Sequence, residues 1–228
     1  MTNTRTQRLS RALASAAMVA VGSAFLASTA AAQQPFASAS QVDPGVAKAR
    51  ADSARLPYVA ADIHFMSGMI SHHAQAIVMA KMAPTHGANE EVRRLAERII
   101  NAQTDEIKLM QQWLRDRLQP VPEAKPGPMK MVMNGMQHDM LMPGMLSDVQ
   151  MKELEAANGS EFDRLFLSYM IQHHRGAVSM VKELFESYGA GQDETVFKFA
   201  TDVNVDQTTE IGRMEKMLAS VLFGVPVR

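Results

Sequence analysis

The chain has 228 residues, of which 46% are hydrophobic and 21% are charged, and its net charge is −1 at pH 7. This apolar content is enough for a buried core and argues against intrinsic disorder. The balance of acidic and basic residues gives no electrostatic reason to expect nucleic-acid binding. The absence of cysteine excludes disulfide frameworks, thiolate metal sites and cysteine nucleophiles. The unusual features of the composition are 19 methionines and seven histidines.

The N-terminus has the three parts of a secretory signal peptide. Three arginines precede an apolar run over residues 12–27, and Ala30-Ala31-Ala32 forms a cleavage site before Gln33. The apolar run is short for a membrane span of about 20 residues, although an uncleaved anchor is the alternative. We therefore expect residues 1–32 to be removed, and the mature protein to be periplasmic or secreted without stable membrane insertion. Residues 33–57 are expected to form a flexible lead-in.

The rest of the chain contains an internal duplication. Residues 62–83 match residues 163–184 at a shift of 101 positions, with ten identities in 22. Residues 103–114 match residues 207–218 at a shift of 104 positions, with six identities in 12. The change of three in the shift predicts an insertion in the turn of the second repeat, near residues 188–191. Each repeat therefore has the pattern of two helices around a short turn.

The duplication predicts two helical hairpins, over residues 58–118 and 147–222, that form one all-α domain. Apolar residues recur every three or four positions in each segment, as on the buried face of a packed helix. Asp62, Asp163 and Asn89 are predicted to cap helix N-termini. Two hairpins of this kind form a four-helix bundle with an approximate twofold axis.

Each repeat places polar side chains at matching positions of its predicted buried stripe. His72 and Gln103 are equidistant from the first turn, and His173 and Gln207 are equidistant from the second. Residues equidistant from the turn of an antiparallel hairpin lie side by side, so each His–Gln pair is expected to be in contact. Because an unpaired polar group is costly to bury, this layer requires an explanation.

The flanking positions extend this layer in both repeats. Glu106 and Glu210 follow the glutamines by about one helical turn and are expected near Met69 and Met170. The second histidine of each His-His pair is rotated by about 100° around its helix. We therefore place it on the flank, where it would face the other hairpin.

Two interpretations of the polar layer compete. The layer could fix helix register through His–Glu and His–Gln hydrogen bonds, or it could bind a metal ion. Imidazole and thioether groups together favour Cu(I), Cu(II) or Ag(I). The candidate ligands in the bundle are His72, His73, His173, His174, Met69, Met170, Met79, Met180, Met110, Met214, Glu106 and Glu210. Met79 and Met180 lie about 10 Å along the helix axis from the histidines, so they belong to the core or to a separate thioether site.

A Pro-rich and then Met-rich linker, residues 119–146, joins the repeats. Seven of the 17 residues between positions 129 and 145 are methionine, and His138 lies among them. Methionine also fills gaps in apolar cores, but a polar segment containing glycine and proline has little core to fill. A flexible chelator of Cu(I) or Ag(I) is therefore expected here. Its candidate ligands are Met133, Met136, His138, Met140, Met142 and Met145. Ser147 is predicted to cap a short helix after the linker.

These motifs resemble the domain of unknown function 305 family, which includes CopM-like exported copper-binding proteins. The resemblance rests on Met-Ile-Ser-His-His at residues 69–73 and Met-Ile-Gln-His-His at residues 170–174, each followed by Gln-Thr-x-Glu-Ile. It covers residues 59–222. It implies a ferritin-like four-helix bundle, export, and binding of copper or silver in metal homeostasis or resistance.

Other functions remain as alternatives. A helical interaction module would use the His/Glu/Gln layer only to set helix register. A ferritin-like redox enzyme would use Glu-x-x-His motifs, and the sequence contains none. Metal binding without catalysis is therefore preferred. Metal ions are the expected ligands, and copper-handling proteins or a second copy of the chain are open as partners.

Overall fold

Five helices and one β-hairpin form the described part of the chain. The structure is a computed structural model that describes Gly45 and residues 58–133 and 136–224, with the backbone alone for residues 129–133, 136–138 and 140. In chain order the elements are α1 (Ala60–Met82), α2 (Glu90–Asp116), β1 (Met129–Met133), β2 (Met136–Met140), α3 (Asp148–Ala156), α4 (Gly159–Glu186) and α5 (Glu194–Phe223). The predicted signal peptide and, apart from Gly45, the predicted lead-in lie outside the described residues.

The long helices form two hairpins. Helix α1 packs along α2, α4 packs along α5, and the hairpins meet through α1 and α4. The predicted helical architecture is confirmed, whereas its ferritin-like character stays a prediction. None of the described helices is both long enough and apolar enough to cross a bilayer.

The three extra residues of the second repeat lengthen a helix and not a turn, contrary to the prediction. The connections between the helices, residues 83–89 and 187–193, have equal lengths. The first helix ends at Met82 because Pro84 has no N–H group to continue the helical hydrogen bonds. Phe185 occupies the equivalent position in α4, so that helix continues to Glu186.

Asp62 and Asp163 are not the N-cap residues, because their helices begin two and four residues earlier. Asp62 still accepts a hydrogen bond from the N–H of the N-cap residue Val59 at 2.8 Å. Each aspartate also binds the turn of the other hairpin. Asp62 accepts a hydrogen bond from the backbone N–H of Gly191 at 2.8 Å. Asp163 accepts from the backbone N–H of Asn89 at 3.1 Å and from its side-chain amide at 2.8 Å. These bonds tie the hairpins together at both ends, while the predicted N-cap role of Asn89 is confirmed.

The bundle interior is divided into two apolar clusters. The first contains the N-terminal half of α1, the C-terminal halves of α2 and α4, and the N-terminal half of α5. The second contains the complementary halves of the same helices. In every long helix the change from one cluster to the other occurs at the predicted polar positions or within two residues of them. These positions are His72, His73, Gln103, His173, His174 and Gln207. The polar side chains therefore form one layer across the middle of the bundle.

The linker is more ordered than the sequence predicts. Strands β1 and β2 pair in antiparallel register, with Met129 opposite Met140 and Met133 opposite Met136. The linker then continues as residues 142–146, which we call the anchor segment. Met142 and Met145 are buried in the first apolar cluster, so they are core residues and not part of a solvated chelating loop. The predicted cap of α3 by Ser147 is confirmed.

Hydrogen bonds and close packing fix the anchor segment against α1 and α4. The side-chain amide of Gln75 donates to the Leu146 carbonyl at 3.0 Å, and its oxygen accepts from the Leu146 N–H at 2.7 Å. The Gln172 amide donates to the Gly144 carbonyl at 3.2 Å. A Cβ atom on Gly176 would lie 1.9 Å from the Pro143 carbonyl oxygen. The contact of α4 with the anchor segment therefore requires glycine at this position.

We expect Gly176→Ala to lower the free energy of unfolding by about 1–3 kcal/mol, because the anchor segment must move to admit the methyl group. Gly212→Ala is the matched control, because a Cβ atom there meets nothing within 4 Å. The control should raise stability by about 0.5–1 kcal/mol through helix propensity. Denaturant unfolding of both variants measures the difference, and equal stability would place the anchor segment away from α4.

Candidate metal centre

Four buried imidazoles form a row across the middle of the bundle. The ring centroids of His72 and His173 are 3.8 Å apart, so the two hairpins meet at these side chains. His73 lies 6.4 Å from His72, and His174 lies 6.3 Å from His173. All four residues have 0% exposure. Adjacent histidines in each helix and the meeting of α1 with α4 produce this arrangement.

Three of the four rings have an oxygen partner at Nε2. His174 Nε2 lies 2.8 Å from a carboxylate oxygen of Glu210, and His73 Nε2 lies 2.7 Å from a carboxylate oxygen of Glu106. His72 Nε2 lies 3.0 Å from the carbonyl oxygen of Pro143. A carbonyl or carboxylate oxygen only accepts hydrogen bonds, so these partners favour a proton on Nε2. The Nδ1 atom of each ring then carries the lone pair.

These lone pairs have no hydrogen-bond partner among the described residues. The Nδ1 atoms of His72, His73 and His174 are buried and unpartnered, and neither nitrogen of His173 makes a hydrogen bond of normal geometry. The short contact of His73 Nε2 with Glu106 is an ion-pair distance that also lacks normal hydrogen-bond geometry. Burial without a partner costs about 1–3 kcal/mol for each polar group. An oriented imidazole with a free nitrogen is also the form in which histidine binds a metal ion.

The charged form is strongly disfavoured for the two inner histidines of the row, His72 and His173. Burial lowers the pKa of His72 to about 3, and the charge of neighbouring His73 acts in the same direction. Burial likewise lowers the pKa of His173 well below its ordinary value. Positive charge on His72 or His174 would lower it further, as a smaller effect. Both rings are therefore neutral at physiological pH, as metal ligation requires.

Thioether groups flank the row on both sides. The first apolar cluster contributes Met69, Met110 and Met180, and the second contributes Met79, Met170 and Met214. All six side chains are buried. Within the described residues, no group of three or more His, Asp or Glu side chains is arranged to hold a metal ion. Thioether sulfur is a ligand that soft ions prefer, so these methionines complement the imidazole nitrogens of the row.

The expected orientation of the outer histidines, His73 and His174, needs correction. We expected His73 and His174 to face the other hairpin, but each contacts the glutamate of its own hairpin. The inner histidines make the contact between hairpins instead. The helix crossing at α1 and α4 is the reason, because it brings the first histidine of each pair to the bundle axis.

The linker candidates divide into two groups. Met142 and Met145 lie in the core, whereas the side chains of Met133, Met136, His138 and Met140 lie outside the described residues. The Pro143 carbonyl, which holds His72, is a site component that sequence analysis missed. A backbone oxygen leaves no signal in residue type or spacing, so only the path of the linker reveals it.

Comparison with known protein families identifies the family of this chain. The model of the domain of unknown function DUF305 matches residues 62–218. The chain belongs to the DUF305 family. No match was found among curated protein sequences.

Solved structures of other DUF305 proteins are similar to this one. A protein from Streptomyces coelicolor described as secreted is 31% identical, with a TM-score of 0.58, over 74% of this chain and 95% of that one. A fragment from Deinococcus radiodurans is 28% identical, with a TM-score of 0.59, over 72% of this chain and 98% of the fragment.

The structure of CopM in its Cu(I)-bound form is also similar to the DUF305 domain of this chain. It is 28% identical, with a TM-score of 0.53, over 71% of this chain and 97% of CopM. CopM has also been solved in Cu(II)-bound and Ag-bound forms. CopM is therefore a metal-binding protein with the helical fold found here.

We expect the metal-free DUF305 chain to lose stability as the pH falls from about 6.5 towards 3. His72 and His173 take up protons in the unfolded chain within this window but not in the folded one, so each contributes up to about 1.4 kcal/mol per pH unit. Above the unfolded pKa of about 6.5 both rings are neutral in the folded and the unfolded chain, so their contribution to stability is complete and no longer changes with pH. Denaturant unfolding at several pH values measures the slope of the free energy of unfolding against pH.

The double substitution His72→Gln and His173→Gln provides the comparison, because it removes both titrating rings. The slope between pH 6.5 and 3 should become shallower by up to the sum of the two contributions. Equal slopes for the two proteins would show that the inner imidazoles can be protonated inside the folded bundle.

Proposed function

We propose that this chain is an exported protein that binds copper or silver ions through its central His and Met side chains, without catalysis. The observation that carries the proposal is the set of buried, unpartnered Nδ1 atoms of His72, His73 and His174. A layer that served only to set helix register would have no reason to leave these lone pairs unpaired. Their uniform orientation by oxygen partners is the arrangement expected of metal-binding histidines.

The chemistry of the surrounding donors supports a soft ion. Imidazole binds copper in both oxidation states, and neutral thioethers prefer Cu(I) and Ag(I). The proposed ligands are the imidazoles of the row and the nearest methionines, Met69 and Met170, each three residues before the first histidine of its pair. Glu106 and Glu210 would orient their histidines. The similarity to CopM in its Cu(I)-, Cu(II)- and Ag-bound forms supports the same class of ion.

Export is the second part of the proposal. Residues 1–32 have the charged, apolar and small-residue segments of a signal peptide. A similar protein from Streptomyces coelicolor is described as secreted. A cysteine-free chain suits an oxidising compartment, where histidine and methionine are the available ligands for copper. We therefore place the mature protein in the periplasm or outside the cell, in copper homeostasis or resistance.

We expect the purified mature protein to bind Cu(I) more tightly than it binds Zn(II), as measured by titration against a competing chelator. His73→Gln and His174→Gln together should weaken binding by at least tenfold, because they remove two imidazole ligands. His64→Gln is the control, since His64 is exposed on the same helix as His73.

Glu106→Gln and Glu210→Gln together should weaken binding by about 10–100-fold, the usual effect of removing the partners that orient metal-binding histidines. Unchanged affinity in both the histidine and the glutamate variants, together with normal folding, would reduce the polar layer to a structural role.

The methionines of the β-hairpin form a second proposed site. We expect replacement of Met129, Met131, Met133, Met136 and Met140 by serine to lower the Cu(I) stoichiometry and to leave the bundle site intact. Met142 and Met145 are kept in this variant because their side chains are buried in the core. Loss of all binding in this variant would contradict a separate site in the bundle. Elemental analysis of the loaded protein gives the stoichiometry.

A further inference from the structure

A cleft between α2 and α5 opens towards the polar layer. It has a volume of about 230 Å³ and is lined by residues of both helices. Gln103 and Gln207, which belong to the buried layer, form part of its lining. Both glutamines are more than nine-tenths buried, and their side-chain oxygens have no hydrogen-bond partner in the part of the chain that the structure describes. Two unpartnered amide oxygens in one cleft indicate a place where a cation can be solvated.

Three carboxylates line the same cleft. They belong to Glu106, Asp206 and Glu210. Glu106 and Glu210 are 23% and 24% exposed, and each touches an outer histidine of the row. Each of these two carboxylates therefore contacts both the solvent in the cleft and a buried imidazole. These two glutamates connect the cleft to the proposed ligands in both repeats.

The carboxylates are close enough to affect each other electrostatically. Burial raises the pKa of Asp206, and the charges of Glu106, Asp202 and Glu210 raise it further. A cation placed among these groups would relieve their mutual repulsion. They are not arranged to ligate one ion together, so they would act on a passing ion through their charge.

The cleft has two electrostatically different ends. Arg98 precedes Gln103 by five residues, and Arg213 follows Gln207 by six residues. Since α2 and α5 run in opposite directions, both arginines lie towards the same end, beside the second apolar cluster. Glu106 and Asp206 lie on the opposite side of the glutamines from the arginines, whereas Glu210 lies between Gln207 and the arginine end. A cation would therefore approach over the carboxylates.

We propose that the carboxylate end of the α2–α5 cleft is the port through which metal cations reach and leave the histidine row. This inference rests on the proposed function and assigns a route to the same site. Asp206 has no part in the ligand set and acts in the port through its charge.

A second cavity provides the competing route. It has a volume of about 620 Å³ and lies where Leu141, Met142 and Pro143 face α1 and α4. Its lining is mainly carbon and sulfur, with Phe65 and Met180 on the helix side, although the single carboxylate of Glu183 and the imidazole of His64 also belong to it. A hydrated cation loses more solvation free energy on entering such an apolar cavity than on entering a cleft lined by carboxylates.

Ala102→Phe would test the port by filling the cleft, because Ala102 is an exposed alanine in its lining. The protein is loaded with Ag(I) nitrate in chloride-free buffer and mixed with an excess of a dye chelator too bulky for the cleft. The dye absorbance then reports the rate of Ag(I) release. We expect release to slow by at least tenfold and the equilibrium affinity to stay within twofold. Ala60→Phe is the matched control in the second cavity.

Asp206→Asn tests the role of charge without added bulk. We expect the Ag(I) association rate to fall about tenfold at low ionic strength and to depend less on salt concentration. Asp105→Asn is its control, because Asp105 is exposed and pairs with Lys108.

Normal rates in both cleft variants, or slower release in Ala60→Phe alone, would overturn the port while leaving metal binding in place. Failure of the unmodified protein to bind Ag(I) would instead overturn the proposed function and the port with it.

Discussion

The structure depends on the burial of neutral imidazoles in the middle of a helical bundle. Burial disfavours the charged form of His72 and His173, and oxygen partners orient three of the four rings. This layer separates the interior into two apolar clusters, so hydrophobic contacts stabilise each half of the bundle separately. The hairpins are held together by these clusters, by the contact between the inner histidines and by the aspartate–turn bonds at each end.

The duplication makes the bundle nearly symmetric, and the linker breaks that symmetry. Each repeat supplies an aspartate to the opposite turn, a His–Glu contact and a methionine on each side of the row. The anchor segment, however, lies on one side and gives a carbonyl partner only to His72. His173 instead interacts with the backbone of His72, without normal hydrogen-bond geometry. The inner histidines are therefore chemically different, although their sequence surroundings are nearly the same.

In the proposed function, the imidazoles that would hold the ion come from both hairpins. Binding would then couple the two halves of the bundle, because the row crosses the contact between α1 and α4. The surrounding thioethers would supply soft ligands without thiols that could oxidise. The solved metal-bound forms of CopM support this chemistry for a similar fold, while the buried, oriented lone pairs support it from this chain alone.

The sequence by itself determined the helices, their pairing into hairpins and the positions of the buried polar layer. These features depend on periodicity and on two copies of one pattern, both of which are local or repeated properties of the chain. Only the tertiary structure decided which groups meet. The contact of His72 with His173 depends on the helix crossing, and the contact of His72 with Pro143 and the burial of Met142 depend on the linker path. No residue spacing encodes the helix crossing or the path of the linker, because both result from packing between segments that are far apart in the chain.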